Sequence, residues 1–220
     1  KENIMIVRPC PGFPTYLTVP PSRLETVRQY YALGGGFRLL SVGRLVARKG
    51  FADAIEALAL LKGRGRDVSL AIVGDGPERA RLEDLAKTRG VADIVTFTGK
   101  VPDEDLPALY ALSDVFVMAP RSVGPDVEGF GIVYLEANLM AKPVIGSRAG
   151  GVPDAVVDGK TGLLVDPGDP EAIAKAVAAL MDDPALWERL GHAGRTRVIE
   201  QFNWRLQAAP LVAALMEDKG

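Results

Sequence analysis

Apolar and polar positions change period repeatedly along this chain, and each change marks an element. Short apolar runs recur at Arg38 to Gly43, Val68 to Val73, Ile94 to Phe97, Val115 to Met118, Val144 to Gly146 and Leu163 to Val165. Runs this short, rich in branched side chains and bounded by turn residues, predict buried strands. Longer stretches between them keep helical spacing. Phe51 to Lys62 puts Ala54, Ile55, Leu58 and Leu61 on one face. Pro77 suits the first position of a helix running to about Arg89, and Pro102-Asp103 opens another through Leu109 to Leu112. A helix follows Gly131 and reaches Met140; Pro170 to Met181, Pro184 to Phe202 and Trp204 to Met216 close the chain as helices. Strands alternating with helices predict an α/β fold: a parallel sheet covered by helices on both faces, because crossover connections put them there. No internal repeat is visible.

Composition narrows the function. At 220 residues the chain holds one large domain or two small ones, and 48% apolar residues suffice for a core. With 26 basic and 28 acidic side chains the net charge is −2, which gives no nucleic-acid signature. No apolar run is long enough to span a membrane. A lone cysteine, Cys10, cannot form an internal disulfide, so a reducing cytoplasm is the simplest setting. His192, the single histidine, excludes a zinc cluster of the usual histidine kind, and the glycines beside it (Gly191 and Gly194) predict a surface turn between helices. Lys1-Glu2-Asn3 does not begin with Met, and Pro9, Pro11, Pro14, Pro20 and Pro21 give a linker-like density. Residues 1–36 therefore read as an interdomain lead-in, 37–202 as the domain, and 203–220 as a closing helix. That helix places Leu206, Pro210, Leu211 and Leu215 on one side, to pack here or to dock elsewhere.

The chemistry concentrates where strands end. After the fourth strand comes Glu128-Gly129-Phe130-Gly131-Ile132-Val133-Tyr134-Leu135-Glu136, two carboxylates eight residues apart around a glycine-flanked helix start. Glycines allow close backbone approach, and a helix start offers N–H groups to an anion. A carboxylate beside a bound phosphate is repelled by it, so Glu128 and Glu136 are better suited to accept hydrogen bonds from hydroxyls. A ligand with phosphates in the middle and hydroxyl-rich groups at both ends, such as a sugar nucleotide, fits; so does an ordinary strand–glycine–helix junction with solvated glutamates. After the first strand, Gly43-Arg44 and Lys49-Gly50 bring two cations to the same sheet edge. Arg grips a phosphate bidentately and Lys supplies a movable charge, which together can neutralise a diphosphate without a divalent metal. A solvated basic loop is the alternative. Gly74-Asp75-Gly76, Gly99-Lys100-Val101-Pro102 and Gly150-Gly151 also follow strands. The glycine fingerprints of nicotinamide dehydrogenases and P-loop NTPases are missing.

Taken together, Val42-Gly43-Arg44, Lys49-Gly50, Val73-Gly74-Asp75-Gly76-Pro77, the Glu128 to Glu136 element with Ala137, and Gly150-Gly151-Val152-Pro153 resemble the donor-binding half of the retaining glycosyltransferases that face two Rossmann-like domains across a cleft (the GT-B fold). That family includes glycogen and sucrose synthases and bacterial lipid mannosyltransferases; the wording around Glu128 is nearest the phosphatidylinositol mannosyltransferase-like branch. The resemblance covers about Phe37 to Phe202. It implies that Arg44 and Lys49 bind the donor diphosphate and Glu128 holds hydroxyls of the transferred sugar. It further implies that Gly43 and the backbone of Phe130, Gly131 and Ile132 line the donor, Val101 lies near the base, and Glu136 holds the ribose. It implies no metal or other cofactor and a donor such as GDP- or UDP-hexose. The acceptor, a lipid or polysaccharide, is held mainly by an N-terminal domain outside this chain, and the closing helix crosses back to that domain. The location implied is cytoplasmic, peripheral at the inner membrane face, and the isolated half is expected to be inactive in transfer. Two departures stand out: Ala141 where the family usually has Gly, and Asp154 for a common Glu. A sugar-nucleotide epimerase half and a stand-alone nucleotide-sugar-binding module remain the competing readings.

Overall fold

The computed structural model of the chain describes residues 9–12, 18–122, 124 and 126–217, with the side chains at 211 and 214–217 excepted. Lys1-Glu2-Asn3 and Pro14, and the side chains of Leu211 and Leu215, lie outside the described residues. Six strands form one sheet: β1 (Phe37–Val42), β2 (Val68–Val73), β3 (Val95–Gly99), β4 (Val115–Val117), β5 (Val144–Ser147) and β6 (Leu163–Val165). They run parallel in the order β3-β2-β1-β4-β5-β6. The helices are α1 (Pro21–Tyr30), α2 (Phe51–Gly63), α3 (Arg79–Thr88), α4 (Leu106–Leu112), α5 (Ile132–Leu139), α6 (Val152–Ala155), α7 (Pro170–Asp182), α8 (Pro184–Gln201) and α9 (Trp204–Glu217). A Rossmann-like α/β sheet with helices on both faces is therefore what these residues build.

The two-residue period of the strands divides the core into two clusters. Leu39, Leu70, Ile72, Val115, Val117 and Ile145 point to one side, where α2, α3 and α7 cover them. Leu40, Val73, Phe116, Met118 and Val144 point to the other, under α1, α4, α5 and α6. Long helix α8 serves both, contributing Leu190 to the first and Val198 to the second. Strand Ser41, buried among these, donates its Oγ to the Val117 carbonyl at 2.6 Å, so no polar group is stranded where β1 meets β4.

The structure departs from the sequence pattern in several places. Residues 1–36 contain α1, which packs on α4 through the buried Val27. The helix expected from Pro102 begins only at Leu106, after a turn. His192 sits in no turn: α8 runs unbroken through it, with the imidazole exposed beside Glu188. The neighbouring glycines have a packing role instead. A Cβ on Gly191 would overlap the Ala141 carbonyl, and one on Gly194 would overlap the Asn138 side chain, so these glycines let α8 press against α5. Ala141 itself holds a left-handed φ of 54° as the residue that turns the chain out of α5. Lys142 N–H there donates to the Ala137 carbonyl and Ala141 N–H to that of Asn138, a Schellman closure.

Candidate functional site

The order β3-β2-β1-β4-β5-β6 reverses between β1 and β4. In open α/β sheets the crevice outside the carboxyl ends of the strands at such a reversal is where ligands bind. Two loops leave the sheet there, one from β1 to α2 and one from β4 to α5, and they touch along their backbones. Gly50, at φ 76°, sits so close to the Ala119 carbonyl that no Cβ would fit, and Arg121 N–H donates to the Arg48 carbonyl at 2.8 Å. On the far side, Gly151 N–H donates to the Glu128 carbonyl at 2.9 Å, and a Cβ on Gly151 would overlap the Gly129 carbonyl. The paired glycines thus serve as a close backbone contact that holds the Glu128 loop. Ser147 Oγ donates to the Pro120 carbonyl, and Tyr134 Oη to that of Met118 at 2.6 Å, stitching β5 and α5 to the same loop. Burial, and then the nearby Glu128 carboxylate, push the Tyr134 phenol well above its ordinary pKa, so it stays a proton donor.

Within this frame a short 3-10 turn, Ala47–Lys49, carries two cations toward Glu128. Lys49 Nζ lies 2.6 Å from Glu128 Oε2, and Arg48 Nη1 donates to the same oxygen at 2.6 Å. Arg48 Nε stands 3.0 Å from Asp126 Oδ1, near enough to pair but not aligned for a hydrogen bond. Glu128 is 9% exposed, so its charge is held by these cations rather than by water. Arg44 lies apart from this cluster. It is exposed and, with Gly43, Gly74, Asp75, Gly76, Pro77 and Lys100, lines an open cleft of about 550 Å³ at the carboxyl ends of β1, β2 and β3. Among the described residues Arg44 makes no ion pair, which leaves its guanidinium available to an anion in the cleft.

The remaining positions sit around the same edge. Gly131 is the residue before α5, at φ 83°, with Ile132 the first helical residue and no side chain capping the helix start. A Cβ on Gly131 would run into the Tyr134 ring at 2.5 Å, so glycine is needed there both for φ and for space. Phe130 is half-buried with its ring 5.8 Å from that of Phe202. Val101 packs on the second core cluster. Glu136 Oε2 accepts the hydroxyl of the fully buried Tyr110 at 2.8 Å, which fixes the carboxylate one turn into α5. The structure therefore brings Lys49 and Glu128 into contact and places Gly43 with Arg44. Glu136 stands with Tyr110, and Val101 packs against the second core cluster. Arg48 was not singled out by the sequence pattern. A second cation directly before Lys49 is a faint signal, and its partner Glu128 is eighty residues away.

The open parallel sheet, with cations, carboxylates and an uncapped helix start along its carboxyl edge, is an α/β fold of the Rossmann-like class matching one half of the GT-B architecture. The chain belongs to the family Glycosyl transferases group 1, which matches residues 25–197. It is 43% identical over 208 residues to a GDP-mannose-dependent alpha-(1-6)-phosphatidylinositol monomannoside mannosyltransferase of Mycolicibacterium smegmatis, covering 93% of this chain and 54% of that enzyme. The Anabaena protein HepE, in a crystal structure with UDP and glucose, superposes with a TM-score of 0.81 at 25% identity, over 92% of this chain and 54% of HepE. A crystallised C-terminal domain of a group 1 glycosyl transferase from Francisella tularensis superposes with a TM-score of 0.73 at 26% identity, over 88% of this chain and all of that domain. The chain spans about half the length of the mannosyltransferase it matches. Among the described residues no helix is long and apolar enough to cross a membrane.

Proposed function

We propose that this chain is the donor-binding half of a retaining glycosyltransferase, taking a nucleoside-diphosphate hexose whose hexosyl group passes to an acceptor held mainly by a second domain. The observation that carries this is the Lys49–Glu128 pair at the sheet's reversal point, with an uncapped helix start on one side and an Arg44-lined cleft along the same carboxyl edge of the sheet. The printed names of two similar proteins agree with it: one is GDP-mannose-dependent and the other holds UDP and glucose, which makes GDP- and UDP-hexose the leading donors. Coverage of half the relatives' length fits a donor half that binds but transfers little alone. No metal is assigned, because two cations and backbone N–H groups can carry the leaving charge. A cytoplasmic setting, peripheral at the membrane face, suits such donors.

In this reading, breaking the bond at the anomeric carbon leaves the electron pair on the departing nucleoside diphosphate. Arg44, Lys49 and the N–H groups of Phe130, Gly131 and Ile132 stabilise that charge, which is largest in the transition state. Glu128 orients hydroxyls of the hexose and Glu136 those of the ribose, with Gly43 lining the diphosphate and Val101 bordering the base. A carboxylate already held by two cations is a weak nucleophile, so Glu128 is given a positioning role. In the protein carrying both halves, Arg44→Ala or Lys49→Ala should lower kcat by about 100-fold or more, the size of a lost oxyanion donor. Steady-state rates within a few-fold of wild type would remove these residues from the chemistry.

A further inference from the structure

We propose that Arg48 is a positioning residue for Glu128, holding the carboxylate in place when Lys49 turns to the donor's diphosphate; this rests on the donor-site reading above. In the structure both cations grip the same oxygen, Glu128 Oε2, each at 2.6 Å. A diphosphate entering the crevice competes with Glu128 for Lys49. Lysine can answer, because its ammonium rides on a flexible four-carbon stem with rotatable donors. Arg48 is built to stay. Its planar guanidinium spans two carboxylates, Nη1 on Glu128 and Nε beside Asp126. Its backbone is pinned as well, since its carbonyl accepts the Arg121 N–H and the following Gly50 is wedged against Ala119.

The consequence is a division of labour between adjacent residues. Glu128 is 9% exposed and cannot be left to water when Lys49 departs. With Arg48 present it keeps one charge-assisted hydrogen bond and a fixed orientation toward the sugar. Without Arg48, every donor that captures Lys49 strands a buried carboxylate next to its own phosphates, an arrangement that is costly both by desolvation and by like-charge repulsion. Arg48 therefore acts on the ligand only through Glu128, and its effect on binding must disappear when Glu128 carries no charge.

The test is calorimetric binding of GDP, UDP and their hexose conjugates to this chain and to Arg48→Met, Arg48→Lys, Glu128→Gln and the double variant Arg48→Met/Glu128→Gln. Arg48→Met should weaken binding by about tenfold or more, the size of one lost charge-assisted hydrogen bond. Arg48→Lys should restore only part of it, because lysine keeps the charge but loses the planar fork, and adding Arg48→Met to Glu128→Gln should change affinity by less than about twofold. A general packing role for Arg48 predicts the opposite of this last result, because its loss would weaken the Glu128→Gln protein equally. Full-strength binding by Arg48→Met, or an undiminished effect in the Glu128→Gln background, overturns the inference. If wild type binds these ligands and Lys49→Ala does not, the donor site stands even where the Arg48 inference fails; if wild type binds none of them, both fall. Should Arg48→Met not fold by thermal melting, Asp126→Asn takes its place: Asp126 is 65% exposed, and loosening Arg48 from it should weaken binding severalfold in the charged background only.

Discussion

At the scale of single residues, the two carboxylates of the candidate site each have a partner within the chain. Glu128 is held by two cations and Glu136 by a buried tyrosine, so both carboxylates are fixed in orientation, which under the proposed function lowers the entropy lost on binding a donor. Ala141 shows the reverse, a residue at odds with its own backbone. Its φ of 54° is a conformation that L residues adopt at a cost of about 1–2 kcal/mol and glycine adopts freely. Ala141→Gly should therefore stabilise the chain by about 1 kcal/mol, a rise of roughly 2–4 °C in Tm for a domain of this size. Calorimetric melting checks it, and a lower Tm would show that the strain is relieved in some other way. The departure from the usual glycine was visible in the sequence; that it carries a left-handed backbone was not, since the Schellman closure depends on where α5 ends. Arg48 was equally hidden. Its neighbours in sequence are a basic loop, and only the fold brings Asp126 and Glu128 to it.

At the scale of elements, the position of the site depends on helices and loops pressed together through glycines. Helix α5, which starts at the crevice, is held from behind by α8, and the two meet at Gly191 and Gly194. Gly191→Ala should push a Cβ into the Ala141 carbonyl, a backbone atom with no rotamer to escape through. The expected cost is about 1–3 kcal/mol, typical of overpacking, read as a lower denaturation midpoint; an unchanged midpoint would mean that α8 slides without penalty. These same glycines misled the sequence reading, which took them for a turn around His192. Glycine marks a turn and a tight helix contact alike, and only the neighbour on the other side decides which. The lead-in helix α1 was missed for a related reason: it is largely polar and buries little beyond Val27, so it has no apolar stripe to announce it. The long strands and helices were legible because burial on one or both faces fixes their period. Their ends were less so, as at Leu106, where a proline-led turn precedes the helix.

At the scale of the whole molecule, the alternation of apolar runs and helical stretches established a parallel sheet, but not the order of its strands. That order decides the site. Because the sheet grows outward from β1 in both directions, β1 and β4 become neighbours although more than seventy residues separate them, and their loops face one crevice. Arg44, Lys49 and Glu128 could be recognised as candidates from their loops; that Lys49 meets Glu128 while Arg44 stands apart in a neighbouring cleft could not. Membership of Glycosyl transferases group 1 and superposition on a protein holding UDP and glucose make the crevice the place to look for a sugar nucleotide. The central claim is best met directly, by titrating this chain calorimetrically with GDP, UDP, ADP and their hexose conjugates, with and without EDTA. The account predicts binding that prefers one base, survives EDTA and is lost in Lys49→Ala. Binding that requires a divalent metal, or that is indifferent to Lys49→Ala, would contradict it.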